Sequence, residues 1–208
     1  MHYTDSFFKI NMIIDPDLKW SSSHEKLIKT LTEERIKKIN SYVFSRDKIL
    51  SLYGACLANL AISDLLKCPI ETLRFNHDPS SKPRLDPSCN LLADKVDYNI
   101  SHTESAAIAA AALNHRVGVD SEYIKDAPFN VMPYVFNKNE IEYVEKKSTS
   151  KSCRFFEIWT RKEAYTKCLG TGLCCDLISI DTLNPPKGIC IITHRIKDHI
   201  YSICAADM

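Results

Sequence analysis

Four ionisable side chains stand out for the chemistry they could do together. Asp120 and Glu122 lie two residues apart in Val117-Gly118-Val119-Asp120-Ser121-Glu122. Glu163 and Lys167 lie four apart in Trp159-Thr160-Arg161-Lys162-Glu163-Ala164-Tyr165-Thr166-Lys167. Carboxylate oxygens are hard donors, and Mg²⁺ takes only a few of them, leaving positions for water and substrate phosphate. Three carboxylates with a lysine beside them suit a hard divalent cation that holds a phosphorylated substrate. Each pair also has a plainer reading. Two acids at i, i+2 can be solvated on the outer face of a strand. An acid and a lysine at i, i+4 can be a surface ion pair worth roughly 0.3–0.5 kcal/mol.

These residues need a strand and a helix to present them. Val117 to Glu122 alternates apolar and polar, the pattern of a half-buried strand, which puts Asp120 and Glu122 on one face. Arg154 to Leu169 has helical spacing and stops near Gly170, so Glu163 and Lys167 share a helix face. Gly170-Thr171-Gly172 lies at that helix C-terminus, where the dipole repels anions, and reads as a cap and turn, not a phosphate cradle.

Elsewhere, Ser22-x-x-Glu25 and Thr30-x-x-Glu33 read as capping boxes opening two short helices, and Asn137-x-x-Glu140 as the start of another. Lys48 to Leu66 carries a broad apolar face and ends before Pro69. Asp78 to Asp94 reads as an exposed loop, and Asp97 to Ser101 as a short strand. Ala106 to Leu113 is ambiguous: propensity favours helix, whereas the turn at Asn114-His115 favours a strand in a hairpin with the Val117 segment. Pro185-Pro186 precedes a final hairpin over residues 188–205.

Composition narrows the classes. The chain has 208 residues, 45% hydrophobic and 25% charged, ordinary for a globular protein. A net charge of +1 gives no electrostatic case for nucleic acid or an anionic membrane. No apolar run approaches the ~20 residues of a membrane span. The N-terminus lacks the basic start and apolar run of a signal peptide. The nine cysteines form no C-x-x-C pair, which favours reduced thiols over zinc and a cytoplasmic setting.

The two motifs together resemble the surfactin-type 4'-phosphopantetheinyl transferases. That family's pattern is G-[VI]-D-x-E followed by W-[TS]-x-K-E-[AS]-[YF]-x-K-x-x-G-x-G-L, and Trp159 to Leu173 fills every fixed position of the second part. Asn99-Ile100-Ser101-His102 and Lys82-Pro83 match two further family elements, all in family order. The resemblance implies an α+β fold, Ala106 to Leu113 as strand, and two similar α/β halves in a pseudo-two-fold arrangement within one chain. It divides the chain into residues 1–113, with nucleotide and phosphate contacts, and 114–208, with the metal site and catalytic helix.

The implied activity is transfer of the phosphopantetheine arm of coenzyme A to a serine of an acyl or peptidyl carrier protein, releasing 3',5'-ADP. Coenzyme A is then the co-substrate and Mg²⁺, or Mn²⁺, the metal. Asp120, Glu122 and Glu163 would be metal ligands. Glu163 and Lys167 would be catalytic, Glu163 as general base and Lys167 neutralising charge on phosphate. Arg35, Lys38, Ser51, Lys82, Ser101 and His102 would bind coenzyme A. No nucleic acid or membrane partner is implied, and a monomer is expected. Two departures concern the nucleotide end. Ser81 stands where the family has glycine, and Leu50 where it usually has arginine, so an arginine at 50 is expected to tighten coenzyme A binding. The alternatives are a carrier-binding protein without catalysis and a metal-dependent coenzyme A pyrophosphatase. The shorter trimeric carrier synthases fit less well, their chains being nearer half this length.

Overall fold

The computed structural model describes residues 7–76, 83–146, 148–172 and 176–208. In chain order the elements are β1 (Phe8–Ile14), α1 (Ser22–Ile28), α2 (Glu33–Asn40), α3 (Ser45–Leu66), β2 (Phe75–Asn76), β3 (Arg84–Leu85), β4 (Val96–Thr103), β5 (Ala106–Leu113), β6 (His115–Tyr123), α4 (Met132–Val135), α5 (Lys138–Glu145), α6 (Lys151–Leu169), β7 (Ile189–Ile196) and β8 (His199–Asp207). The chain divides into two compact units, Met1–His115 and Arg116–Met208.

The same topology is built twice. In the first unit a strand, a long helix and a hairpin give a three-stranded sheet of order β1-β5-β4, with α3 packed on it. In the second, β6, α6 and the β7–β8 hairpin give the order β6-β8-β7, with α6 packed on it. The last strand of each set lies in the middle, flanked by the first strand and by its own hairpin partner. Both units therefore have the two similar halves' α+β character that the family resemblance implied.

β5 resolves the alanine ambiguity. It pairs antiparallel with β1 on one side and β4 on the other, and Ala106 to Ala112 are all at most 1% exposed. A strand buried on both faces reads as a continuous apolar run, and its ladder bonds override alanine's helix preference. Asn114 does turn the chain, with φ of 60° and its N–H bonded to Lys95 O at 2.8 Å. The expected hairpin is not there, however. β5 and β6 lie in different sheets, and the hairpin partner of β5 is β4.

Helix starts shifted by a residue or two. α1 is capped by Ser21, whose backbone N–H donates to His24 Nδ1 at 3.0 Å, while the far side of that ring bonds Tyr53 OH at 2.8 Å. α2 is capped by Thr32, since Thr30 Oγ1 donates instead to Leu27 O, 2.8 Å away at the end of α1. The Asn137–Glu140 box forms as expected. The sequence pattern predicts neither β1 nor the short β2–β3 pair, and β3 corrects the exposed loop expected over Asp78 to Asp94: it lies inside that segment, where Leu85 and Ala93 are buried in the core. Helix α3 has a mean hydropathy of 1.6 in its most apolar stretch, enough by length and composition to cross a membrane, contrary to the run-based reading. It packs instead on β1, β4 and β5, with Ala58, Ala61, Ile62 and Leu65 in the core shared with Tyr98 and Ala109.

Each helix comes close to its sheet at a glycine. On α3, a Cβ at Gly54 would lie 2.5 Å from Ile100 Cγ2 of β4. On β6, a Cβ at Gly118 would lie 2.0 Å from Ala164 O and 2.4 Å from Cys168 N, both backbone atoms of α6. A side-chain methyl can move aside, and Ala also gains about 1 kcal/mol of helix propensity over Gly. A helix backbone has no such freedom. Gly118→Ala should therefore cost about 3 kcal/mol or more, the upper end for overpacking, and Gly54→Ala clearly less. Urea unfolding of the two variants measures the difference.

Candidate active site

The contact at Gly118 decides which residues meet. The even-numbered residues of β6 face α6, so Asp120 points at the helix two residues beyond the glycine, and Glu122 follows on the same face. Ala164 and Cys168 touch the glycine, which brings their neighbours Glu163 and Lys167 to the acid. Lys167 Nζ donates to Asp120 Oδ1 at 2.6 Å. The Asp120 side chain is 8% exposed and that of Lys167 30%, so this is no solvated i, i+4 pair: the partner of Lys167 is on the strand.

Glu163 is half-buried beside them. Burial first, and the Asp120 charge second, raise its pKa above the ordinary carboxylate value, while Lys167 opposes the shift. A carboxylate whose pKa is raised is a stronger base than a solvated one and so better suited to taking a proton. Gly170 closes α6 in the left-handed conformation, φ 73°, with its N–H on Thr166 O, as a cap should.

The donor set suits Mg²⁺: the groups brought together are the carboxylate oxygens of Asp120, Glu122 and Glu163. Asp120 and Glu163 are close enough to repel, and Glu122 shares the strand face of Asp120. Among the described residues no three acid, histidine or cysteine side chains form a ready-made cation site. One or two carboxylates plus substrate phosphate suffice for Mg²⁺, so the residues fit the ion without forming a closed protein cage.

The expected coenzyme A residues fall into distinct surroundings. Arg35 on α2 is turned toward α3, where Nη2 donates to Ser51 O at 3.1 Å and Ser51 Oγ at 3.2 Å. Its Nε is buried and unbonded, and burial lowers the guanidinium pKa. Among the described residues no carboxylate pairs with it. Ser51 is buried and holds Arg35, so it acts behind the arginine. Lys38 is exposed one turn along α2. Ser101 and His102 are consecutive in β4 and so lie on opposite sheet faces, Ser101 buried and His102 exposed. Lys82 and Leu173 lie outside the described residues. Leu50 is 2% exposed. An arginine there would enter the interior, and the expectation that it tightens nucleotide binding is corrected.

Sequence reasoning missed a second buried ion pair. Lys162 Nζ lies 2.8 Å from Glu140 Oε2, and the two side chains are 3% and 0% exposed. Lys162 is a fixed position of the helix motif, and in the sequence Glu140 reads only as a capping residue. A capping glutamate three residues after Asn137, facing a motif lysine, is a weak signal that becomes legible only once α5 and α6 are packed.

Comparison with known proteins addresses both units. A family model described as 4'-phosphopantetheinyl transferase superfamily matches residues 116–206, and one described as 4'-phosphopantetheinyl transferase, N-terminal, matches residues 18–114. The chain is 30% identical over 148 residues to the 4'-phosphopantetheinyl transferase gsp of Aneurinibacillus migulanus, covering 71% of this chain and 59% of that one. It is 26% identical over 150 residues to the 4'-phosphopantetheinyl transferase ffp of Bacillus subtilis, covering 72% and 64%. It is 24% identical over 155 residues to the human L-aminoadipate-semialdehyde dehydrogenase-phosphopantetheinyl transferase, covering 70% and 50%. The matches thus span between half and two thirds of the length of these relatives. With each unit matched on its own, the chain belongs to the 4'-phosphopantetheinyl transferase superfamily.

Proposed function

We propose that the chain transfers the 4'-phosphopantetheine arm of coenzyme A to a serine of an acyl or peptidyl carrier protein, with release of 3',5'-ADP. The observation that carries this is the convergence of Asp120, Glu163 and Lys167 where α6 crosses β6. The names of the relatives, each a phosphopantetheinyl transferase, support it.

The residues divide the work by their chemistry. Glu163 accepts the proton of the attacking serine hydroxyl as its oxygen bonds the phosphorus nearer the pantetheine. The bond from that phosphorus to the bridging oxygen breaks, and 3',5'-ADP leaves with the electron pair. Lys167 donates to the phosphate oxygens as their charge grows, an interaction strongest in the transition state. Asp120, with Glu122 and Glu163, would hold Mg²⁺, which supplies positive charge against the pyrophosphate when bound. At the nucleotide end Arg35 is a half-buried cation without a counter-ion among the described residues. It is assigned to the 3'-phosphate, with Ser51 holding it and Lys38, Lys82 and His102 as further contacts. Ser101 lies buried on the face opposite His102, so the two would not meet the same phosphate.

Incubation with coenzyme A, Mg²⁺ and a panel of apo acyl and peptidyl carriers, read by intact mass, tests the function. A carrier should gain one phosphopantetheine. EDTA should abolish the gain, Mg²⁺ or Mn²⁺ should restore it, and Asp120→Ala should lose it while remaining folded. Cleavage of coenzyme A without a carrier would instead mean a pyrophosphatase. Binding of a carrier with coenzyme A left intact would mean a non-catalytic protein.

Glu163 gives a test with opposite signs for stability and activity. Its folded pKa is raised, so the unfolded chain ionises first as pH climbs. Its contribution is fully present below the ordinary carboxylate value and is lost as pH rises through the folded value. In metal-free buffer at neutral pH, Glu163→Gln should therefore melt at or above the wild-type temperature, while kcat falls by about 10²-fold or more. Calorimetry across acid to neutral pH, beside steady-state kinetics, checks both. A lower melting point would mean the carboxylate is a structural group.

Leu50→Arg should act on folding and not on affinity. A buried, unmatched guanidinium costs several kcal/mol, so the melting temperature should drop by on the order of 10 °C. A stable variant with a lower KM for coenzyme A would restore the original expectation.

A further inference from the structure

We infer that Lys162 and Glu140 form a positioning pair for the transfer reaction, a closed polar hub that fixes the rotation of α6 and so the aim of Glu163 and Lys167. The inference rests on the function proposed above. Lys162 precedes Glu163 in sequence, but one residue is about 100° around a helix, and the two side chains go to different places. The Lys162 ammonium meets three acceptors: Glu140 Oε2 at 2.8 Å, Leu177 O at 2.6 Å and Ile180 O at 2.7 Å. Its N–H groups are committed inside the protein, with none left for a phosphate.

Glu140 is equally committed. Oε2 also accepts from the Asn137 N–H at 2.9 Å, and Oε1 accepts from the Thr182 N–H at 2.9 Å and Thr182 Oγ1 at 2.7 Å. The pair therefore ties α5 and α6 to the segment 177–182. Arg161 adds a bond from Nε to Thr182 O at 3.1 Å, and Asn137 Nδ2 one to Ile180 O at 3.0 Å.

Stability alone does not account for such a pair. Desolvation offsets most of the attraction between buried charges, and well-packed apolar replacements are often as stable. Directional bonds supply what apolar contact lacks. Hydrophobic packing is non-directional and leaves a helix free to roll slightly. A roll of about 10° moves a side-chain end by on the order of 1 Å, and misplacement of that size costs up to about 10²-fold in rate.

The test uses Lys162→Met, Glu140→Gln and the double variant Lys162→Met with Glu140→Leu. It is read by kcat, by KM for coenzyme A and by hydrogen exchange of residues 177–182. Each variant should lose about 10-fold or more in kcat with KM within about 3-fold, because the loss is in the transition state. The double variant should lose no more than the worse single one, since the two act as a unit. Exchange in 177–182 should quicken in Glu140→Gln. If a single variant fails to fold, the double variant, which leaves no charge buried alone, decides by its kcat. Wild-type kcat in the double variant would overturn the proposal. So would full activity in Glu140→Gln beside loss in Lys162→Met, which would put Lys162 on the substrate. Failure of the underlying function would appear separately, as a wild type that modifies no carrier, and the exchange measurement needs no carrier.

Discussion

At Gly118 the helix and strand of the second unit meet backbone against backbone. A methyl group at Gly118 would overlap the carbonyl of Ala164 and the amide of Cys168. With only hydrogen there, α6 lies directly on β6, and a strand acid and a helix lysine separated by 47 positions come within 2.6 Å. The register of that contact selects the partners. The residues beside Ala164 and Cys168 are Glu163 and Lys167, and two residues along the strand from Gly118 is Asp120. A shift of one strand residue would turn Asp120 to the other sheet face.

Two ion pairs on α6 show how the same chemistry serves different ends. Lys162 and Glu140 are sealed, at 3% and 0% exposure, and satisfied by backbone and hydroxyl partners. Lys167 and Asp120 stand at an edge, with the lysine 30% exposed. The sealed pair has no means of meeting a ligand and can only hold its surroundings. The open pair is reachable from solvent, as the proposed contact of Lys167 with phosphate requires. Glu163 sits next to the open pair with its ionised form disfavoured, first by burial and then by the Asp120 charge.

The first unit follows the same plan with other means. Its central strand is mostly alanine, so α3 approaches with few large side chains between, and Gly54 makes room for Ile100 of β4 from the helix side. Arg35 is drawn in beside α3 by the carbonyl and hydroxyl of Ser51. A half-buried cation there, with no carboxylate partner among the described residues, carries a desolvation cost that a bound anion would offset.

The residues themselves determined the motifs, the helix caps at Asn137 and Gly170, the strand parity that puts Asp120 and Glu122 on one face, and the family. All of these depend on neighbours within one or two turns of chain, where spacing is geometry. Tertiary structure decided the rest. It made a strand of Ala106–Leu113 by giving it β1 and β4, and it took from Asn114 the hairpin its turn suggested. It buried Leu50, separated Ser101 from His102 by a sheet, and turned Lys162 away from Glu163 toward Glu140. The reason is the same in each case: burial and pairing are set by residues far away in the chain, and local pattern carries no record of which distant surface will arrive.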